Sequence, residues 1–416
     1  MAERGSNLVG PAPPSRPWLT VVGIGEDGIA GLSPRAAECI RRASTIFGGK
    51  RHLQLAAPLI RGEASPWPTP FGTAIGQLLA RRGEPVCVLA SGDPMLFGIG
   101  ATIARSVPAE EMEIIPAPSS FSLAAARMGW PLAEVETLSL HGRSLDLIRP
   151  LLHAGRRLLL LTSDAETPAA IAVLMSEAGF GPSRITLLEA LGGPDERVRA
   201  AEAKDFGLGA IHPLNLLAVE VRAGRQARII PLTAGRSEDL FEHDGQITKY
   251  EVRAVVMALL APRRGEYLWD VGAGSGSIGV EWMLAHPSMR CTAVEAKFER
   301  AERIGRNAAR LGVPGLQIVE AAAPAALVGL AAPDAIFIGG GATVPGVIDH
   351  CMEALRSGGR LAVTAVTLET ESLLASLHGV HGGQLLRVEI SRAEPLGSMT
   401  GWRPSRPVAI WSWTKS

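Results

Sequence analysis

At 416 residues, 47% hydrophobic and 20% charged, the chain is too long for one ordinary core and too apolar to stay disordered, so at least two folded domains are expected. Forty-one basic residues balance forty-one acidic ones, which disfavours a nucleic-acid binder, since no field of one sign covers the molecule. Only five of the basic residues are lysine; the rest are arginine, the side chain that grips carboxylate or phosphate with two parallel hydrogen bonds. The first 17 residues carry Pro11, Pro13, Pro14 and Pro17 without an apolar run, and read as a flexible tail with no export signal. Cys39, Cys87, Cys291 and Cys351 lie far apart with no metal-ligand spacing, which points to a reducing, cytoplasmic setting and to no metal site. The longest nearly uncharged stretch, 321–333, is broken by Pro324 and falls short of the roughly 20 residues a membrane span needs. No membrane partner is expected.

Beyond the tail, short apolar runs alternate with glycine loops and longer segments of helical period, the pattern of parallel α/β architecture. Strands are expected at 19–22, 86–90, 138–140 and 158–161. Ser33-Pro34 marks a helix start, with serine as the N-cap and proline at the first position, where its missing N–H costs nothing. Residues 231–246, polar and acidic with no sustained apolar period, read as a linker between a first domain at 18–230 and a second at 247–416. The second domain opens on an apolar helix at 250–260. Strands at 267–271, 291–294, 316–319, 335–338, 360–366, 384–390 and 408–413 would then complete a seven-stranded, Rossmann-like, doubly wound sheet with a terminal antiparallel pair.

The sharpest local signal is DVGAGSG at 270–276, between an apolar strand and a helical segment. Its three glycines permit positive φ and close backbone approach, and the following helix offers unpaired N–H groups. Glu295 closes the next strand, 19 residues after Gly276, where a carboxylate is placed for ribose hydroxyls. Asp270 ahead of the first glycine favours S-adenosylmethionine, whose amino group it would meet. Gly274-x-Gly276-x-x-Gly279 also satisfies the dinucleotide fingerprint, so a nicotinamide oxidoreductase stays open at this point. In the first half, VGIGEDG at 22–28 and SGDPMLFGIG at 91–100 each follow a strand, and Asp93-Pro94 reads as a tight turn where ligands of open α/β sheets collect. Ser119 or Ser120 caps an alanine-rich helix. The histidines form no metal-ligand spacing, and Trp402, Trp411 and Trp413 read as packing residues.

Taken with GGKRHL at 48–53, PAPSSFSLAAARMGWP at 116–131, LHGR at 140–143 and LLTSD at 160–164, the first half resembles the tetrapyrrole methylases of corrin biosynthesis. ITKYEVRA at 247–254, DVGAGSGSIGVEW, NAARLGV at 307–313, PDAIFIGGG at 333–341 and GGRLAVTAVTLE at 358–369 resemble the small Rossmann-type methyltransferase of the same pathway. Both halves in this order resemble the fused, decarboxylating precorrin-6Y C(5,15)-methyltransferase family.

The resemblance implies a tetrapyrrole methylase fold followed by a seven-stranded methyltransferase, each with its own S-adenosylmethionine, acting on a precorrin. The first domain would methylate carbon 5. The second would methylate carbon 15 and expel carbon dioxide from the ring C acetate, on the way to cobalamin. Both relatives form homo-oligomers, so one is expected here. By the same resemblance Gly92, Asp93 and Pro94 line the first cofactor cleft, with Ser119 and Ser120 nearby, Gly23 and Gly25 facing the trough, and Gly142 and Arg143 beside it. Thr248, Asp270, Gly272, Ala273, Gly274, Ser275, Gly276 and Glu295 would hold the second cofactor. Lys249 and Arg253 are candidate anchors for the substrate's carboxylates, with a solvated helix face as the other reading. Where the family shows Gly-Asp-Ala-Pro, this chain has Ala321-Ala322-Ala323-Pro324. The acceptor for the adenine amino group is therefore missing, and the backbone at Ala322 and Ala323 or a neighbour has to replace it at a cost of about 1 kcal/mol.

Overall fold

The computed structural model describes residues 17–416, so all of the expected tail but Pro17 lies outside the described residues. The chain divides into two compact units: residues up to Arg143 with Ala154–Gln226, and Ser144–His153 with Ala227–Ser416.

The first unit holds two five-stranded sheets. In one, β1 (Leu19–Ile24), β2 (Thr45–Gly48), β3 (Glu63–Pro66), β4 (Val86–Ser91) and β5 (Met112–Ile115) run parallel in the order β3-β2-β4-β1-β5. β1 and β4 are near-continuous apolar runs because helices cover both their faces. Between the strands lie α1 (Pro34–Arg42), α2 (Lys50–Ala56), α3 (Ala74–Leu79) and α4 (Ile99–Ile103). Ser33 caps α1 as expected, its hydroxyl accepting from the Ala36 amide at 3.2 Å. The second sheet takes β6 (Glu136–Ser139), β7 (Arg157–Leu161), β8 (Arg184–Glu189), β9 (Arg197–Glu202) and β10 (Asn215–Glu220) in the order β6-β7-β10-β8-β9. Only its β6–β7 pair is parallel. Helices α5 (Ser120–Met128) and α6 (Thr167–Met175) pack in this half.

The second unit is a seven-stranded sheet in the order β13-β12-β11-β14-β15-β19-β16. Its strands are β11 (Tyr267–Val271), β12 (Arg290–Glu295), β13 (Gln317–Glu320), β14 (Ala335–Ile338), β15 (Arg360–Ala365), β16 (Gln384–Val388) and β19 (Val408–Thr414). β11 to β15 are parallel, and β19 is antiparallel to both its neighbours. Helix α7 (Tyr250–Leu260) precedes the sheet, α8 (Ser277–Leu284), α9 (Phe298–Arg310), α10 (Val347–Ala354) and α11 (Leu368–His381) connect its strands, and buried apolar side chains form two core clusters. A hairpin, β17 (Ser391–Leu396) with β18 (Met399–Pro404), interrupts the expected run from β16 to β19. Trp402, read as a packing residue, lies 76% exposed on this hairpin, whereas Trp411 is buried in the core.

Expected as a linker, residues 231–246 are instead built into the second unit. Phe241 joins its core and Arg236 is buried. Two of the segment's acidic residues pair with one face of α9, Asp244 with Arg300 at 2.9 Å and Arg303 at 3.2 Å and Glu242 with Arg306 at 2.7 Å. Polar composition marked a segment held by ion pairs, and the division of the chain falls earlier, after Gln226.

Candidate active sites

In the first unit the carboxyl ends of β1 and β4 are drawn together by backbone. The Gly92 amide donates to the Ile24 carbonyl at 3.1 Å, and the Gly92 carbonyl accepts from the Ala117 amide at 3.1 Å. A Cβ at Gly23 would stand 1.8 Å from the Gly92 carbonyl oxygen, so only glycine fits there. Gly23 therefore does not face the trough; it lets two strand ends close. Gly92 turns the chain at φ +52°, and Asp93 Oδ1 fixes the turn by accepting from the Met95 amide at 2.9 Å. Pro94, expected on the cofactor cleft, is buried with its carbonyl beneath Gly98 and Gly100 and does not line it.

The cleft that opens above this junction has a volume of about 620 Å³. Gly25, Gly92, Asp93, Ser119, Ser120 and Arg143 lie on its wall. Ser119, not Ser120, is the N-cap of α5, accepting from the Ser122 amide at 3.0 Å. Gly142 turns at φ +65° outside the lining, its amide donating to Ser163 at 3.1 Å. Missed by the sequence reading as functional residues are Glu26, Arg51, His52 and Ser91, which share the same wall. All four lie within motifs the sequence singled out, Glu26 in VGIGEDG, Arg51 and His52 in GGKRHL and Ser91 at the head of SGDPMLFGIG, but none was given a role.

In the second unit the turn after β11 is held from four sides. The Gly272 and Ala273 amides donate to the Val294 carbonyl at 2.9 and 3.1 Å. Glu295 Oε2 accepts from the Gly274 amide at 2.9 Å. Asn307 Nδ2, from α9, donates to the Ser275 carbonyl at 2.9 Å and to the Glu242 carbonyl at 2.9 Å, tying the turn to residues 231–246. Asp270 Oδ2 accepts from the Gly279 amide at 2.9 Å inside the first turn of α8. The glycines differ in purpose. A Cβ at Gly272 would meet the Gly340 carbonyl at 2.6 Å and one at Gly276 the Ile304 side chain at 2.7 Å, whereas one at Gly274 would meet nothing closer than 3.9 Å. Gly274 is thus the turn's open position, where a ligand finds backbone and no side chain.

These residues fit an adenosine-bearing cation. Asp270 Oδ1 and Ser275 Oγ are buried without a partner among the described residues, in the two residues that flank the open turn. Such groups cost about 1–3 kcal/mol each when left unmade. Burial, opposed by the Gly279 amide, pushes the Asp270 carboxyl up to about 7. Its proton is therefore held by the folded chain where the unfolded chain has lost it. Stability is expected to fall as pH rises from about 4 to about 7 and to level off above, a slope that Asp270→Asn removes. Urea midpoints of both proteins across that range check this.

Arg253 is not a substrate anchor. Its side chain is fully buried, paired with Glu281 at 2.9 Å, and it donates to the Thr248 and Arg236 carbonyls. Glu281 also accepts from the Gly235 and Arg236 amides at 2.8 and 2.9 Å. Thr248 is half-buried before α7, and Lys249 is exposed at that helix's N-cap position. Ala322 is exposed and Ala323 half-buried; the Ala322 carbonyl accepts from the Ala326 amide at 3.0 Å, so the backbone there is partly engaged. Among the described residues no group of three His, Cys, Asp or Glu side chains is placed to hold a metal, and no helix is long and apolar enough to cross a membrane.

Residues 19–207 match the family described as Tetrapyrrole (Corrin/Porphyrin) Methylases, and residues 239–415 the Precorrin methyltransferase domain. Over 399 residues the chain is 57% identical to the Precorrin-6Y C(5,15)-methyltransferase [decarboxylating] of a Sinorhizobium species, covering 96% of this chain and 97% of that relative. The chain belongs to the precorrin-6Y C(5,15)-methyltransferase family. Shorter relatives match only part of it. A Cobalt-precorrin-7 C(5)-methyltransferase of Salmonella typhimurium is 31% identical over 46% of this chain and 96% of its own length. A Cobalt-precorrin-6B C(15)-methyltransferase (decarboxylating) of Salmonella typhi is 35% identical over 39% of this chain and 86% of its own. Membership of a precorrin-6Y C(5,15)-methyltransferase family accounts for two unrelated α/β units in one chain, and it replaces the nicotinamide reading of 274–279.

Proposed function

We propose that this chain methylates precorrin-6Y at carbons 5 and 15 and removes carbon dioxide from the ring C acetate, in cobalamin synthesis. The first unit acts at carbon 5. The second acts at carbon 15 and decarboxylates. What carries the reading is the pairing of a cleft walled by the Gly92 turn in the first unit and an open glycine turn at Gly274 in the second with end-to-end similarity to a fused relative. The existence of separate relatives named for each position supports one reaction per unit.

S-adenosylmethionine, bound once in each unit, supplies an electrophilic methyl group. In the first unit the protein's task is alignment: Asp93 and the Ser119 cap fix the cleft wall, and Gly92 lets the turn pack against the backbone at Pro118 and Ser119. In the second, Glu295 and Asn307 hold the turn rigid, and Asp270 and Ser275 offer their free oxygens to the donor's polar groups. A poorly hydrated site favours neutral carbon dioxide over a charged acetate, and the conjugated macrocycle takes up the electrons. We extend the reading to a cytoplasmic homo-oligomer whose partner is the tetrapyrrole alone, in line with four cysteines that are all free.

Incubation with precorrin-6Y and methyl-labelled donor is expected to give a product carrying two labels and lacking one carbon dioxide by mass spectrometry. Recovery of unaltered precorrin-6Y would overturn the assignment.

A further inference from the structure

On the wall of the first unit's cleft, four side chains from three segments converge: Glu26 after β1, Arg51 and His52 on α2, and Ser91 at the carboxyl end of β4. His52 Nε2 lies 2.8 Å from Ser91 Oγ and 3.1 Å from Arg51 Nη2, and Arg51 Nη2 lies 3.2 Å from Ser91 Oγ. Arg51 is in turn ion-paired with Glu26. The Arg51 guanidinium constrains the directions of these hydrogen bonds. A guanidinium only donates, so His52 Nε2 is the acceptor and the ring proton sits on Nδ1. Ser91 Oγ accepts from Arg51, and its own proton points to Nε2. The remaining Ser91 lone pair faces the cleft, where Ser91 is exposed immediately before Gly92.

His52 Nδ1 is buried and has no partner among the described residues, an arrangement an apolar residue would avoid. Burial, and then the Arg51 charge, push the imidazole down to about 4, so the ring is neutral at ordinary pH. The groups that face it are Arg51 on its own helix, Glu26 through Arg51, and Ser91 across on β4.

We propose that Ser91 and His52 form a proton-accepting pair for the reaction in the first unit, with Arg51 holding the pair's hydrogen bonds in the accepting direction. The inference rests on the reading of that unit as a carbon methyltransferase. A bridging carbon that gives its enamine electron pair to a new methyl group leaves the macrocycle with one more positive charge. Loss of one proton from the conjugated system returns the bonding pair to the ring and restores neutrality. Ser91 Oγ takes that proton as its own passes to His52 Nε2, so the charge ends on the imidazolium. Its low affinity for the proton then discharges it to water.

The test compares the full-length protein with Ser91→Ala and His52→Gln. General-base removal is expected to lower kcat for carbon 5 methylation about 100-fold while KM and donor affinity hold. Methylation at carbon 15 serves as the internal control. The wild-type carbon 5 step is expected to show a solvent deuterium isotope effect that both variants lose. Nitrogen NMR of histidine-labelled protein is expected to show His52 protonated on Nδ1 and not on Nε2. Wild-type carbon 5 rates in both variants, or a proton on Nε2, would overturn the relay and leave the functional reading standing. A wild-type protein that methylates neither carbon would instead overturn that reading.

Discussion

Gly92→Val is expected to slow methylation at carbon 5 by about 100-fold or more and leave carbon 15 methylation and carbon dioxide release intact. Gly92 turns at φ +52°, a region that costs a residue bearing a Cβ about 1–2 kcal/mol before any clash. The added Cβ would stand 2.8 Å from the Pro118 carbonyl oxygen and 3.1 Å from the Ser119 Cα, both backbone atoms with nowhere to go. The turn must move, and Asp93 and the Ser119 cap move with it. Displacement of a positioned group by about 1 Å costs on the order of 100-fold in rate. Mass spectrometry and methyl NMR of the product would show a singly methylated, decarboxylated macrocycle. Methylation at both carbons at the wild-type rate would contradict this use of the turn, and folded protein inactive at both would contradict the independence of the two units.

The largest stability effect is expected at Glu281. Its carboxylate is fully buried and is the shared acceptor of Arg253 Nε and the Gly235 and Arg236 amides, with Arg236 Nη1 at 3.8 Å. Removing one partner of a buried ion pair leaves the other charge uncompensated, at about 3–5 kcal/mol. Glu281→Ala strands Arg253 and Arg236 together and frees the start of the 231–246 segment from α8. Urea unfolding followed through the buried Trp269 and Trp282 is expected to show the second unit's transition at lower urea, its unfolding free energy reduced by that amount, with Glu281→Gln in between. An unchanged midpoint would remove the central role given to this carboxylate.

The parallel strands were the most legible part of the sequence. Tyr267–Val271 and Ala335–Ile338 fall where apolar runs put them, because central parallel strands are buried on both faces and need no alternation. Edge strands such as Glu63–Pro66 and Arg197–Glu202 carry no such run, since they are largely exposed and held by backbone pairing. The β17–β18 hairpin was invisible for the same reason. At the candidate sites, DVGAGSG and SGDP do form glycine turns at strand ends, but sequence does not tell a glycine with open space before it from one that lets two backbones touch. Gly23 and Gly274 are that contrast. Arg253 shows the other limit: its partner Glu281 lies 28 residues along the chain, and nothing local announces that the fold will bury the two together. His52 and Ser91, 39 residues apart, were hidden in the same way.

The central claim is that each unit binds its own methyl donor. Calorimetric titration of the intact protein with S-adenosylhomocysteine, the demethylated donor, tests it directly: the account predicts two equivalents bound per chain, falling to one in Gly92→Val. A wild-type stoichiometry of one or none would contradict it.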